Sequence, residues 1–120
     1  MNSTKKIIVF LGAPGSGKGA LSRLCIESFG WKQLSTGNLC RKHVSEGTAL
    51  GQQIDFALKS GTLVSDDVII AMGREWIEQE IEGAEGLILD GFPRTVVQAT
   101  GFLKFFDEKY AHVKLILANV

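Results

Sequence analysis

The sequence predicts an α/β fold, a parallel sheet with helices on both faces, and three observations carry that prediction. Short apolar runs at residues 7–11, 86–89 and 112–118 have the length and branched content of buried strands. Between them lie longer segments whose apolar residues recur at helical spacing. The first run also ends in a glycine-rich segment from which a helical pattern starts directly. Strands alternating with helices imply parallel pairing through right-handed crossovers. Ligands of such sheets sit beyond the carboxyl ends of the strands.

At 120 residues the chain is read as one domain over 1–120, large enough to bury roughly two-thirds of its unfolded surface. Thirteen basic side chains balance thirteen acidic ones, so no bulk field draws it to nucleic acid or to a membrane. No apolar run is longer than the five residues of 7–11, far short of the ~20 residues that span a bilayer or of a signal sequence. Cys25 and Cys40 lack a Cys-x-x-Cys spacing, which fits reduced thiols and a cytoplasmic setting.

Residues 7–11 form the first predicted strand. Gly12, Ala13, Pro14, Gly15, Ser16, Gly17 and Lys18 follow, with the Gly-x-x-x-x-Gly-Lys spacing of a phosphate-binding loop. Backbone N–H groups and a positive helix end then converge on one spot, with Lys18 reaching the outer phosphates. Gly19 and Ala20 stand where the strict pattern wants a Mg²⁺-holding Ser or Thr. Leu21, Leu24, Cys25 and Phe29 give the first helix an apolar face, and Gly30 stops it.

A short strand at 31–34 leads to Ser35, Thr36, Gly37 and Asn38, a helix start. The helix reaches Val44, carrying Arg41 and Lys42, and Gly47 breaks it. Leu50, Ile54, Ala57 and Leu58 form the next stripe, ended by Ser60 and Gly61, and Thr62, Leu63 and Val64 form an extended link. Ser65 caps the following helix, with Asp66 and Asp67 complementing its dipole, a capping pair rather than a metal site. Ile69, Met72 and Trp76 face inward as far as about Glu82. After the strand at 86–89, Pro93 and Thr95 open a helix with Ala99, Phe102, Leu103 and Phe106 on one face, and 112–118 is the fourth strand.

Lys18, Arg41 and Arg94 all follow predicted strand ends, so three cations from three segments meet one edge. An arginine fork grips two phosphate oxygens at once; taken singly, each arginine is equally well a solvated surface charge. Asp90, at the end of a buried strand, reads as a carboxylate that orients hydrated Mg²⁺ or as a turn-forming aspartate.

Four motifs together resemble the adenylate kinases. They are the loop from Gly12 to Gly19, then Leu34-Ser35-Thr36-Gly37-Asn38-Leu39-Cys40-Arg41, then Gly61-Thr62-Leu63-Val64, and Asp90-Gly91-Phe92-Pro93-Arg94-Thr95 with Gln98. Gly-Lys-Gly is usual in that family. The resemblance implies a three-layer nucleoside-monophosphate-kinase fold with 35–64 as a helical monophosphate-binding insertion, and the reaction ATP + AMP ⇌ 2 ADP with Mg²⁺. It puts ATP phosphates on Gly15, Ser16, Gly17, Lys18, Gly19 and Ala20. It puts AMP on Thr36, Arg41, Thr62, Leu63, Val64, Gly91, Phe92, Pro93, Arg94 and Gln98. Lys18 and Arg94 would be catalytic, with Asp90 on Mg²⁺ through water, in a protein that is monomeric at full length. Kinases for UMP and CMP tend to carry alanine in place of Thr36 and asparagine in place of Thr95, which favours AMP here. A UMP, CMP or other monophosphate kinase and a non-catalytic nucleotide-binding module stay open as alternatives.

The chain departs from the family in three ways. Ala20 replaces a usual threonine, and Asn38 replaces the usual aspartate. The family's lid and last helices, with further arginines, would follow the fourth strand. On this reading the 120 residues are the truncated first part of a longer kinase and have little activity alone, since arginines at the transferring phosphoryl are worth roughly 10³–10⁵ in rate.

Overall fold

Strands β1 (Lys6–Leu11), β2 (Lys32–Ser35), β3 (Gly86–Asp90) and β4 (Lys114–Asn119) lie parallel in the order β2-β3-β1-β4. They are seen in a computed structural model that describes residues 5–11, 18–110 and 112–119. The central pair, β1 and β3, are apolar throughout except for Lys6 and Asp90 at their ends, as strands covered on both faces must be. Ile8 pairs with Ile88 and Ile116, and Val9 with Leu89 and Leu117. Neighbouring side chains of each strand therefore supply two different cores.

The larger core takes Ile7, Val9, Leu87 and Leu89 together with Leu34, Met72, Ile77, Phe102 and Phe106. It is roofed by α2 (Thr36–Glu46), α3 (Ala49–Lys59), α4 (Asp66–Glu80, continued by a 3₁₀ turn at Ile81–Gly83) and α5 (Val96–Lys109). The smaller core joins Ile8, Phe10 and Ile88 to Cys25, Trp31 and Ile116, under α1 (Lys18–Phe29). This is the expected α/β arrangement, with helices on both faces of the sheet.

Local chemistry sets the helix ends. The hydroxyls of Thr48, Ser65 and Thr95 accept the N–H groups of Gly51, Val68 and Gln98, each satisfying a donor that the helix itself leaves open. α2 runs two residues past the expected Val44 and stops at Gly47, whose φ of 67° lies in the left-handed region that favours glycine.

Three expected apolar faces are corrected. On α1, Ser22 is the buried residue and Cys25 is half-buried, while Leu21, Leu24 and Phe29 stay exposed. Among the described residues no further element covers that side of the helix. On α3, Leu58 is exposed because Gly51, Ile54 and Ala57 form the buried line. On α5, Phe105 replaces Leu103, because the helix turns Gln98, Phe102, Phe105 and Phe106 inward. Arg74 then stacks on the Phe105 ring at 4.9 Å.

Gly86 opens β3 beneath the Trp31 indole, where an added Cβ would lie 2.3 Å from the ring. Gly86→Ala is expected to cost about 1–3 kcal/mol, read as a lower denaturation midpoint together with a shift in tryptophan emission. An unchanged midpoint would mean the indole is not seated there.

Candidate functional site at the ends of β2 and β3

β2 and β3 end side by side, with Ser35 paired to Asp90. From there the chain enters α2 on one side and the loop Gly91–Thr95 on the other, so the second and fourth motifs share one edge. Thr36 donates its hydroxyl proton to the Gly91 carbonyl at 3.1 Å. Gly91 has a φ of 86°, and a Cβ there would come within 3.2 Å of Arg94 Nη2 and 3.4 Å of Thr36 Oγ1. The positive φ is what calls for glycine here, and the close side chains leave little room for a larger residue. Thr36 and the exposed Arg94 side chain therefore both lie beside Gly91.

Gln98 is nine-tenths buried, and each end of its amide makes one hydrogen bond. Its Oε1 accepts the Arg94 backbone N–H at 2.9 Å, and its Nε2 donates to Asp66 Oδ1 at 2.9 Å. The same Asp66 oxygen accepts the Thr95 hydroxyl at 3.1 Å, while Thr95 Oγ1 accepts the Gln98 N–H at 3.1 Å. Asp66, read from the sequence only as a helix-start carboxylate, thus joins the starts of α4 and α5. No local signal reveals this, because its partners lie 29 and 32 positions away.

Arg41 is exposed on α2 and folds back toward the helix start. Its Nη2 bonds Asn38 Oδ1, and its Nη1 lies 3.3 Å from where a Gly37 Cβ would stand. Beside it, burial pushes the Cys40 thiol above its usual range, with the Arg41 charge pulling the other way.

The remaining expected residues are dispersed. Thr62 is tied to α3, its hydroxyl donating to the Ala57 carbonyl at 3.2 Å. Leu63 is 95 % exposed, and Val64 packs against the larger core. Phe92 turns its ring into the core against Phe102 and Gly73, leaving its backbone at the edge, and Pro93 is half-buried. Asp90 is partly exposed at the last position of β3. Gly15, Ser16, Gly17 and the Lys18 side chain lie outside the described residues, and Gly19 and Ala20 are exposed in the first turn of α1.

Two cavities border this region without containing either arginine. One, of about 270 Å³, lies between α2 and α4 and is lined by Asn38, Lys42, His43, Glu75 and Trp76 among others. The other, of about 430 Å³, runs along α3 past Phe56, Leu63, Val64 and Val68. Arg41 and Arg94 stand on the open edge instead, as cations that meet a solvated anion would.

A parallel α/β sheet with polar and charged side chains at the carboxyl ends of its strands is of the class whose ligands bind at that edge. Within it, the chain belongs to the adenylate kinase family, whose model, described as "Adenylate kinase", matches residues 10–119. The chain is 48% identical over 92 residues to a protein named "Adenylate kinase" from Hamiltonella defensa subsp. Acyrthosiphon pisum (strain 5AT), a match covering 77% of this chain and 42% of that protein. It therefore spans less than half the length of that relative. Among the described residues, no helix is long and apolar enough to cross a membrane.

Proposed function

We propose that this chain forms the AMP-binding side, and part of the ATP-binding side, of an adenylate kinase that interconverts ATP + AMP and 2 ADP. One observation carries the reading: Thr36, Gly91, Arg94 and Gln98 are linked at the ends of β2 and β3 in a chain of this family. The segment 35–64, built of α2, α3 and the extended link, is the monophosphate-binding insertion on this reading.

The chain's own residues act by position and charge. Arg94 and Arg41 bind the AMP phosphate through their forks, and Arg94 also faces the phosphoryl in flight. Gln98 reads the base from a fixed amide, with Thr36, Gly91 and the 62–64 link around it. The ATP phosphates lie on backbone N–H groups at the start of α1, and Lys18 neutralises the transferring group. Such a site lowers the barrier by alignment and electrostatics, which suits an in-line transfer through a metaphosphate-like state.

Among the described residues no three carboxylate, histidine or cysteine side chains gather to hold a metal directly. A single carboxylate at a strand end, as Asp90 is, suits Mg²⁺, which keeps its waters and takes its other ligands from substrate phosphates. When bound, the ion would neutralise charge on those phosphates. ATP and AMP as partners, a monomeric full-length protein and a cytoplasmic setting complete the reading, the last supported by two free cysteines.

AMP is favoured over pyrimidine monophosphates by Thr36 and Thr95, whose hydroxyls bond Gly91 and Asp66. Titration of the 120-residue chain is expected to give tighter binding of AMP than of UMP, and the reverse order would overturn the base assignment. A coupled assay on the full gene product is expected to show ADP formation; no turnover above background would leave only a nucleotide-binding module.

A further inference from the structure

We propose that Asp66 is a specificity-determining positioning residue, which locks the Gln98 amide so that the site accepts a 6-amino purine and rejects a 6-oxo purine. The inference rests on the reading of Gln98 as the base contact. An amide can be turned end for end with almost no change of shape, so only its partners decide which end is oxygen. Here both partners decide it the same way. A backbone N–H can only donate, and that of Arg94 holds Oε1 at 2.9 Å. A carboxylate oxygen accepts, and that of Asp66 holds Nε2 at 2.9 Å. The reversed amide would set oxygen against oxygen at one end and N–H against N–H at the other.

Asp66 is itself held in place. Thr95 Oγ1 accepts the Gln98 N–H, so its single proton goes to Asp66 Oδ1 at 3.1 Å. With the Gln98 backbone N–H as one link, the three residues make a closed ring between the starts of α4 and α5. With one N–H and one oxygen lone pair engaged, the amide keeps one of each at fixed positions for a ligand. A 6-amino purine presents an N–H donor at position 6 beside an acceptor ring nitrogen, and a 6-oxo purine reverses both. A fixed amide matches only one of these patterns, whereas an amide free to turn accommodates either. Rejection of the wrong pattern is costly because it leaves buried polar groups unpaired.

The test is calorimetric titration of the 120-residue chain with AMP, IMP and ribose 5-phosphate. Wild-type protein is expected to prefer AMP to IMP. Asp66→Asn, whose side-chain amide donates as readily as it accepts, is expected to lower that preference about tenfold, the scale of one charge-assisted hydrogen bond. Asp66→Ala, which removes the acceptor outright, is expected to act in the same direction. Ribose 5-phosphate, which has no base, should bind all of them equally. Asp67→Asn makes the same charge change at an exposed position of the same helical turn and should keep the wild-type preference. An unchanged preference in both Asp66 variants would overturn the inference. So would an equal fall in Asp67→Asn, or weaker ribose 5-phosphate binding that tracks the loss of AMP. A wild-type chain with no preference for AMP over IMP would instead remove the base-contact reading itself, before any substitution is made.

Discussion

Arg94→Ala is expected to lower ADP formation by the full gene product by about 10³-fold or more while leaving the unfolding midpoint where it is. The two halves of this expectation have different origins. An arginine at the phosphoryl in flight is worth about 10³–10⁵ in rate, or roughly 4–7 kcal/mol of barrier, because it meets charge that appears only as the bond breaks. The fold does not need the guanidinium, since the loop is anchored by other groups. The Arg94 backbone N–H is bonded to Gln98, Thr36 bonds the Gly91 carbonyl, and Phe92 is sunk in the core. All three survive truncation of an exposed side chain, so a stability change within about 0.5 kcal/mol is expected. Arg94→Lys keeps the charge but loses the two-pronged grip, and should fall between wild type and alanine. Unfolding of the alanine variant, or retention of most of its turnover, would remove Arg94 from the site.

What the sequence made legible, and what it hid, divides by range of interaction. The central strands β1 and β3 were readable because burial on both faces demands an unbroken apolar run. The caps at Ser65 and Thr95 were readable because capping is settled within three residues. The face of α1 was not, since leucines at helical spacing say only that a helix has an apolar side, and what covers it is a tertiary matter. The faces of α3 and α5 went wrong for a related reason. Close contacts at Gly51 against α2 and at Gly101 against Ile70 set the rotation of each helix, and a small residue has no hydrophobic signature to announce this. At the candidate site, the fourth motif pointed to Arg94 and Gln98 at the end of β3. The partner that holds Gln98, Asp66, looked like any acidic residue in a first turn.

The largest stability effect is expected at Gly51, far from any phosphate contact. An added Cβ there would lie 2.0 Å from the His43 carbonyl oxygen, 2.4 Å from its carbon and 2.9 Å from the Val44 nitrogen. All three are backbone atoms, so no side chain can swing aside. The obstructed carbonyl is also the hub of the elbow between α2 and α3, accepting the N–H groups of Gly47 and Thr48. Thr48 in turn caps α3 through the Gly51 N–H at 2.9 Å and lies 2.7 Å from the buried His43 ring. Alanine in place of glycine would favour an isolated helix by about 1 kcal/mol. Here the two helices must separate to admit the methyl group, stretching the cap and the ring contact together. A net loss of about 3 kcal/mol is therefore expected, the upper end of overpacking costs, seen as a large fall in the denaturation midpoint. Gly37→Ala is the control, because its Cβ would meet only the movable tip of Arg41, at 3.3 Å. It should leave the midpoint nearly unchanged while displacing a cation proposed for the AMP phosphate, and so weaken AMP binding without unfolding the chain. Equal stability losses in the two variants would mean that α2 and α3 do not meet backbone to backbone, and the platform that carries Thr36 and Arg41 would have to be built differently.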